Sequence, residues 1–473
     1  MRQSSIRIKY ERTSELDNVS RHGLLATVYQ FAQSTGVFKL WEEIPLKMKS
    51  VEYRPVDKLK TLWASIVVGC QHTCDINHEL GAHERALAEM FGLARFPDQS
   101  QVNRLFGRAT AETIDGYRRC HFELLCQQTR SRKLSLWQRL ANGRRTLLAD
   151  LDQRALAVSG KQFELAERGY FGRHRGHTGY QLSVLFLGGQ IGEVVDEYLD
   201  PGNVYARART DDLLKALSEF CRRRGIGPDQ VMLRGDAAFG TPAIIALAES
   251  YGFKYLFKGL SAQKARNLAE EARDCYWRVK ASAEDRARWM ADLGLREHTD
   301  RSEAGAGRVI ACRTLVMASV REVSPKRITK QHVKKRVEEQ KTLFTQDYFL
   351  TNLGAEELPV EKVLEIYDDR VTIESYFSDE QYALGARHLR TWRFHGSALF
   401  QFLVATTNNL LRWFRHEVLK GTEFEGYGLK RIVHQLMQIP ARLGRKGGIW
   451  IMEFPQRHAL AVKLLNQWDN HSP

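Results

Sequence analysis

The sequence predicts an α/β protein: a mixed sheet flanked by helices, preceded by a helical region and interrupted by an insertion. Three observations predict it. From about 145 to 259, short apolar runs and amphipathic segments follow in the order β-β-β-α-β-α-β, which calls for a sheet with helices packed on it. Residues 1–140 carry their apolar side chains mostly at helical spacing. Residues 262–345 are less regular, and strand character returns in DYFLTNL (347–353). These divisions give a helical N-terminal region (1–140), a core in two parts (141–261 and 346–415), an insertion (262–345) and a C-terminal helical region (416–473).

In the N-terminal region LLATVYQFAQSTGVFKLW (24–41), VDKLKTLWASIVVGC (56–70) and ERALAEMFGL (84–93) read as helices. In PDQSQVNRLFGRA (97–109), Asp98 or Ser100 caps a short helix with Gln101, Asn103 and Arg104 near its start. That piece is either the recognition element of a helix-turn-helix, whose first residues reach base edges, or a capped connecting helix.

RTLLADLD (145–152) is a buried strand ending in carboxylates. GYQLSVLFLGG (179–189) and IGEVVDEYLD (191–200) are strands joined at a Gly-Gly turn. TDDLLKALSEFCRRRG (210–225) is a helix with a Thr or Asp cap, a basic last turn and a terminal glycine. DQVMLRGD (229–236) is a strand, and TPAIIALAESYG (241–252) a helix with Pro242 at its first position and Gly252 at its end. FKYLFKG (253–259) is a strand. The insertion holds YWRVKAS (276–282), a Gly/Arg-rich hinge (302–319) and the basic run KRITKQHVKKR (326–336). After Pro359 one long helix begins, carrying YDDRVTIESYFSDEQ (367–381).

Lys plus Arg is 71 against 56 for Asp plus Glu, a formal charge of +15. A polyanionic partner follows, and nucleic acid is the commonest. Aromatic and basic residues interleave in RTWRFHGSALFQF (390–402) and LLRWFRHEVLK (410–420), which suits either phosphate contacts or the helices of any basic domain. No apolar run reaches membrane-spanning length, and the first residues lack a signal-peptide core. A soluble, intracellular protein is expected. The seven scattered cysteines are expected to be free thiols. Cys70 and Cys74 with His72 and His78 match no common zinc spacing.

Asp150 and Asp152 close the first strand, Asp236 closes a later one before the turn AAFGTP, and Glu374 lies on the long helix. Each has a structural reading as a strand end or cap, and Arg370 with Glu374 reads as a helical ion pair of roughly a few tenths of a kcal/mol. Tyr367, Arg370 and Glu374, at steps of three and four, would share one helix face. If the acids converge, divalent metal binding is the natural reason, because clustered carboxylates repel one another without cations. Asp150 and Asp152 point to the same side of a strand. Asp152, further out, is the preferred ligand and Asp150 the reserve.

An Asp after a first strand, an Asp after a later strand and a Glu on a helix resemble the ribonuclease-H-like DDE transposases of bacterial insertion sequences. The segment is similar to their Y-x2-R-x3-E-x6-K signature. Tyr367, Arg370 and Glu374 match its first three positions, and Gln381 stands where the family has lysine. RGDAAFG (234–240), YFLTNL (348–353) and LADLDQRALAVSGKQ (148–162) resemble the family's segments around the second Asp, before the Glu helix and around the first Asp. The likeness covers roughly 145–415.

The resemblance implies that Asp152, Asp236 and Glu374 bind two Mg2+ ions, with Mn2+ able to substitute. It implies that Arg370, Tyr367 and Gln381 lie along the DNA backbone, and that the insertion is β-rich. An aromatic of the insertion, Trp289 or Trp277, would stack on an extruded base or simply pack. Arg104 is the candidate for DNA contact in the N-terminal region. The implied partners are transposon ends and target DNA, held by a homodimer in cut-and-paste transposition. The implied location is the bacterial cytoplasm, with the nucleoid. Two alternatives stand: a nuclease or resolvase of the same fold without strand transfer, and a non-catalytic DNA-binding derivative.

Overall fold

A computed structural model describes residues 8–13, 19–48, 52–131, 137–171, 176–189, 191–272, 277–280, 288–296, 307–315 and 344–471. In chain order, the helices α1 (Gly23–Ser34), α2 (Pro55–Val67), α3 (Gln99–Arg108) and α4 (Ala111–Ser131) come first. Strands β1 (Arg145–Val158), β2 (Thr178–Leu187) and β3 (Glu193–Pro201) follow. Next are α5 (Arg207–Arg224), β4 (Val231–Gly240), α6 (Pro242–Ser250), β5 (Lys254–Gly259) and α7 (Ala262–Glu271). Strands β6 (Trp277–Lys280), β7 (Arg288–Arg296), β8 (Gly307–Leu315) and β9 (Phe344–Thr351) lead to helices α8 (Val360–Asp368), α9 (Val371–Tyr382) and α10 (Phe394–Glu417). The architecture is mixed α/β and compatible with a ribonuclease-H-like fold.

The chain divides into two compact units. One comprises Met1–Ser135, Gln153–Tyr205 and Thr372–Pro473; the other comprises Leu136–Asp152 and Ala206–Val371.

In the second unit the front of β1 pairs in parallel with β4, Leu147 opposite Val231 through Leu151 opposite Gly235. β4 pairs in parallel with β5. Beyond β5 the strands β9, β8, β7 and β6 follow in order, all antiparallel. Parallel neighbours need crossovers, and α6 supplies the one between β4 and β5. Pro242 starts it, and Gly252, at φ 75°, allows the exit that an L side chain resists. Leu148, Met232, Leu256, Ile310 and Phe349 form the core, on which α8 lays Val363 and Leu364.

In the first unit β2 and β3 form an antiparallel ladder. Leu156 of β1, Leu182, Val184, Phe186 and Val194 pack with Ile373 and Tyr376 of α9 and with Ala398 and Ala405 of α10. β1 therefore reaches both cores, through Leu148 in one and Leu156 and Val158 in the other. α1–α4 belong to this unit, and α3 buries Val102, Leu105 and Phe106. Its cap is Asp98, whose Oδ1 accepts from the N–H groups of Ser100 and Gln101 at 2.8 and 3.0 Å. A small sheet also lies here: Ile8–Thr13 pairs in parallel with Ile449–Pro455, which pairs back on Ala441–Lys446.

Five expectations need correction. The two terminal regions are not purely helical, because they supply that small sheet. Its hairpin turns at Gly447 and Gly448, both at positive φ, as a two-residue turn requires. β1 does not stop at Asp152 but runs to Val158. In the continuation Gln153 Nε2 donates to Ser183 Oγ at 3.0 Å and Arg154 is buried. β4 does not stop at Asp236 either. Its register against β5 jumps from Gly235 opposite Phe257 to Gly240 opposite Gly259, so AAFG is a bulge. The supposed hinge at 302–319 contains β8, with Val309, Ile310 and Ala311 buried. The run 326–336 lies outside the described residues.

The fifth correction concerns the long helix, which is two. α8 ends at Asp368 and α9 starts at Val371. The Arg370 N–H donates to Tyr367 O at 3.1 Å, a tighter turn, while the Ile366 carbonyl accepts from Arg234 Nη1 at 2.5 Å. A side chain inserted into the ladder takes the acceptor a continuous helix would use, and such insertion breaks helices.

Among the described residues no helix is long and apolar enough to cross a membrane. Among the described residues Cys70, Cys74, Cys120, Cys126, Cys221 and Cys312 form no disulfide, and Cys275 lies outside the described residues.

Candidate active site

The parallel pair β1/β4 sets the second unit's acids. Asp150 and Arg234 stand opposite each other across it. Both side chains are fully buried, and Arg234 grips both carboxylate oxygens, Nε to Oδ1 at 2.7 Å and Nη2 to Oδ2 at 2.8 Å. Burial raises the Asp150 pKa against the pull of Arg234. Both oxygens are already engaged, so Asp150 acts as a structural counter-ion.

Asp152, two residues on, is 17% exposed, and its Oδ2 accepts from Arg370 Nη2 at 2.7 Å. The same nitrogen donates to Leu151 O at 3.1 Å. Arg370 is buried. Burial pulls its pKa down, but Asp152, Asp150, Tyr367 and Asp236 outweigh that, and the net shift is upward. The guanidinium stays charged, and it holds Asp152 in one orientation.

Asp236 sits at the start of the β4 bulge, half-buried, with Oδ1 accepting from Ala238 N–H at 3.0 Å. The bulge needs its glycines. A Cβ on Gly240 would lie 1.9 Å from Lys258 O, and one on Gly235 would lie 2.7 Å from Phe239 Cβ. Tyr367 packs edge-on against Phe349, with its hydroxyl 3.5 Å from Gly235 O. Burial, chiefly, lifts its pKa to about 12; Arg370 opposes, and Asp236 and Asp152 both add to the rise. Asp152, Asp236, Tyr367 and Arg370 are thus brought together within this unit.

Glu374 belongs to the first unit, exposed in the first turn of α9. The face of α9 behind it is buried and polar, through Tyr376 and Glu380. The Tyr376 hydroxyl contacts Glu197 Oε2 at 3.2 Å and Glu380 Oε1 more closely. Arg154 Nη2 lies 3.3 Å from Glu380 Oε2, and its Nη1 donates to Phe377 O at 3.3 Å. Glu197 and Glu380 are fully buried. Burial first raises both pKa values, and Glu380 adds a further rise to that of Glu197. Two carboxyls facing one guanidinium favour keeping a proton between them. Nothing in local spacing pointed to Glu197 or Arg234; the one cue was Tyr376 and Glu380 at a four-residue step.

The remaining candidates are placed as follows. Gln381 is half-buried near the end of α9. Arg104 is exposed on α3. Trp289 is half-buried, edge-on to Phe344 at 5.5 Å, with the Arg313 guanidinium 5.5 Å from its ring. The Trp277 ring lies outside the described residues.

Residues 38–468 match the family model described as Transposase DDE domain group 1. The chain belongs to that family. It is therefore a transposase, an enzyme that acts on DNA as an endonuclease in recombination. No curated protein matches it. DDE transposases generally use divalent metals. Among the described residues, no group of three or more His, Cys, Asp and Glu stands ready to hold one. The donors that the second unit of the transposase does offer, Asp152 and Asp236, are hard carboxylate oxygens of the class that Mg2+ and Mn2+ accept.

Proposed function

We propose that this transposase moves DNA by cut-and-paste, cleaving at the ends of an insertion sequence and joining them to a target. We assign it to the subgroup bearing the Tyr-Arg-Glu signature. The observation that supports this best is the convergence of Asp152 and Asp236 on the Tyr367–Arg370 pair, four residues before Glu374 in the chain.

Asp152, Asp236 and Glu374 would hold two divalent ions, most simply Mg2+, with Mn2+ as a substitute. When bound, such ions make a water or a 3′-hydroxyl a better nucleophile and stabilise the leaving oxygen of an in-line displacement at phosphorus. Arg370 orients Asp152 through Nη2, and its remaining donors would serve a DNA phosphate. Tyr367 keeps its hydroxyl proton at neutral pH and can donate it to a phosphate oxygen. Gln381 and Arg104 would touch the DNA backbone, Trp289 would stack on a base once freed from Phe344, and a homodimer would pair the two ends.

The test is a strand-transfer assay with end-containing linear DNA, a target plasmid and Mg2+. Asp152→Asn, Asp236→Asn and Glu374→Gln should each lose cleavage while keeping DNA binding. Wild-type cleavage in any of them removes that residue from the site. Cleavage by the native protein with no joined product would favour a nuclease instead.

A further inference from the structure

The first unit carries a cleft of about 880 Å3 whose lining includes Lys47, Glu52, Lys58, Gln101, Arg104 and Arg108. Gln101, Arg104 and Arg108 follow at steps of three and four along α3, so they form one face of it. The adjoining face is the apolar one that buries Val102, Leu105 and Phe106.

The cations in this cleft are not balanced. Lys47 is paired with Glu112 at 3.0 Å, and Glu52 with Arg95 at 3.0 Å. Among the described residues Lys58, Arg104 and Arg108 have no carboxylate partner. Lys58, on α2, is only 4% exposed. Burial lowers its pKa, and Arg104 lowers it further. A buried ammonium facing another cation is costly unless an anion compensates it. Three cations around one opening, Lys58 buried and Arg104 and Arg108 exposed, recruit a polyanion.

We infer that Lys58, Arg104 and Arg108 clamp the phosphodiester backbone of duplex DNA, independently of its sequence. The inference rests on the transposase assignment only for the identity of the polyanion. Cations without acceptor groups bind phosphates and position a duplex, whereas base edges specify sequence. Of the α3 side chains in the lining, Gln101 alone could read an adenine edge, and it stands beside Arg104 and Arg108, while Asn103 is not part of the lining. α3 therefore acts here as a backbone-binding helix.

The test measures binding of the full chain to labelled short duplexes by fluorescence anisotropy over a range of salt. One duplex carries the element's end and one an unrelated sequence. Arg104→Gln/Arg108→Gln should weaken both by the same factor and reduce the slope of log affinity against log salt by about 2, close to one per lost phosphate contact. Lys58→Met should weaken both duplexes equally while raising the Tm, because it removes an uncompensated buried charge. Inorganic phosphate alone, at the ionic strength of a chloride control, should not displace the duplex.

An unchanged salt slope, a loss confined to the end sequence, or displacement by free phosphate would overturn the clamp. So would a lower Tm with unchanged affinity in Lys58→Met. Because the readout is binding, a double variant that binds and cuts as wild type sinks the clamp alone. A native protein that binds DNA but never cuts sinks the catalytic assignment alone.

Discussion

Asp150 and Asp152 differ in sequence only by position, and the structure predicts opposite consequences for the same substitution. Asp150→Asn removes the partner of a fully buried guanidinium. Arg234 would keep Ile366 O, one amide oxygen in place of the two carboxylate oxygens at 2.7 and 2.8 Å, and the partly exposed Asp369 Oδ2 at 3.7 Å. Breaking a buried pair costs about 3–5 kcal/mol, an upper bound here because Asp369 stays 3.7 Å from Arg234 Nη1. For a unit of this size that lowers Tm by roughly 6–20 °C, at about 2–4 °C per kcal/mol. Asp152→Asn instead weakens a single contact with Arg370 at a site 17% exposed, where Leu151 O still accepts. The expected cost is about 1 kcal/mol, typical of one hydrogen bond, with cleavage lost. Thermal unfolding followed by circular dichroism, beside a cleavage assay, reads both. A wild-type Tm for Asp150→Asn, or a Tm loss for Asp152→Asn as large as that for Asp150→Asn, would refute the division of labour.

Other substitutions read other parts of the molecule. Glu374→Gln should abolish cleavage with Tm within about 1–2 °C of wild type, since surface changes are usually small; retained cleavage would clear Glu374 of any catalytic role. Arg370→Ala should depress kcat by at least tenfold with little change in DNA affinity, because it disorients Asp152; equal losses in both would make Arg370 a plain binding residue. Glu197 has a folded pKa raised above the ordinary 4.5, so its contribution is complete below that pH and is lost as pH rises through the folded value. Glu197→Gln should therefore gain stability over wild type progressively as pH climbs from 4.5. Parallel Tm–pH curves for the two proteins would show that no such proton is held.

The elements between 145 and 259 were readable because their signals are local. Gly225 ends α5 in a left-handed conformation, and Pro242 and Gly252 bracket α6. The break between α8 and α9 was not readable, because Arg234, far back in the chain, makes it. For the same reason period alone could not separate Asp150 from Asp152: both point one way, and only the residue across the ladder distinguishes them. The continuation of β1 was hidden by Gln153 and Arg154, polar residues whose partners Ser183 and Glu380 come from remote segments. The hairpin at 441–455 did carry its cue in Gly447-Gly448 and was masked by a basic, helix-like composition around it. The order of the acids was visible from sequence, whereas the pairs that fix each acid's state are tertiary.

The Glu197–Tyr376–Glu380 cluster makes a hydrogen ion one of the parts from which the folded chain is assembled. Refolding above pH 4.5 should take that ion from the solvent, so a calorimeter should register different heats in phosphate and in Tris, whose ionisation enthalpies differ. Driving that ion off would loosen the back of α9 from within and leave the helix that carries Glu374 without its footing.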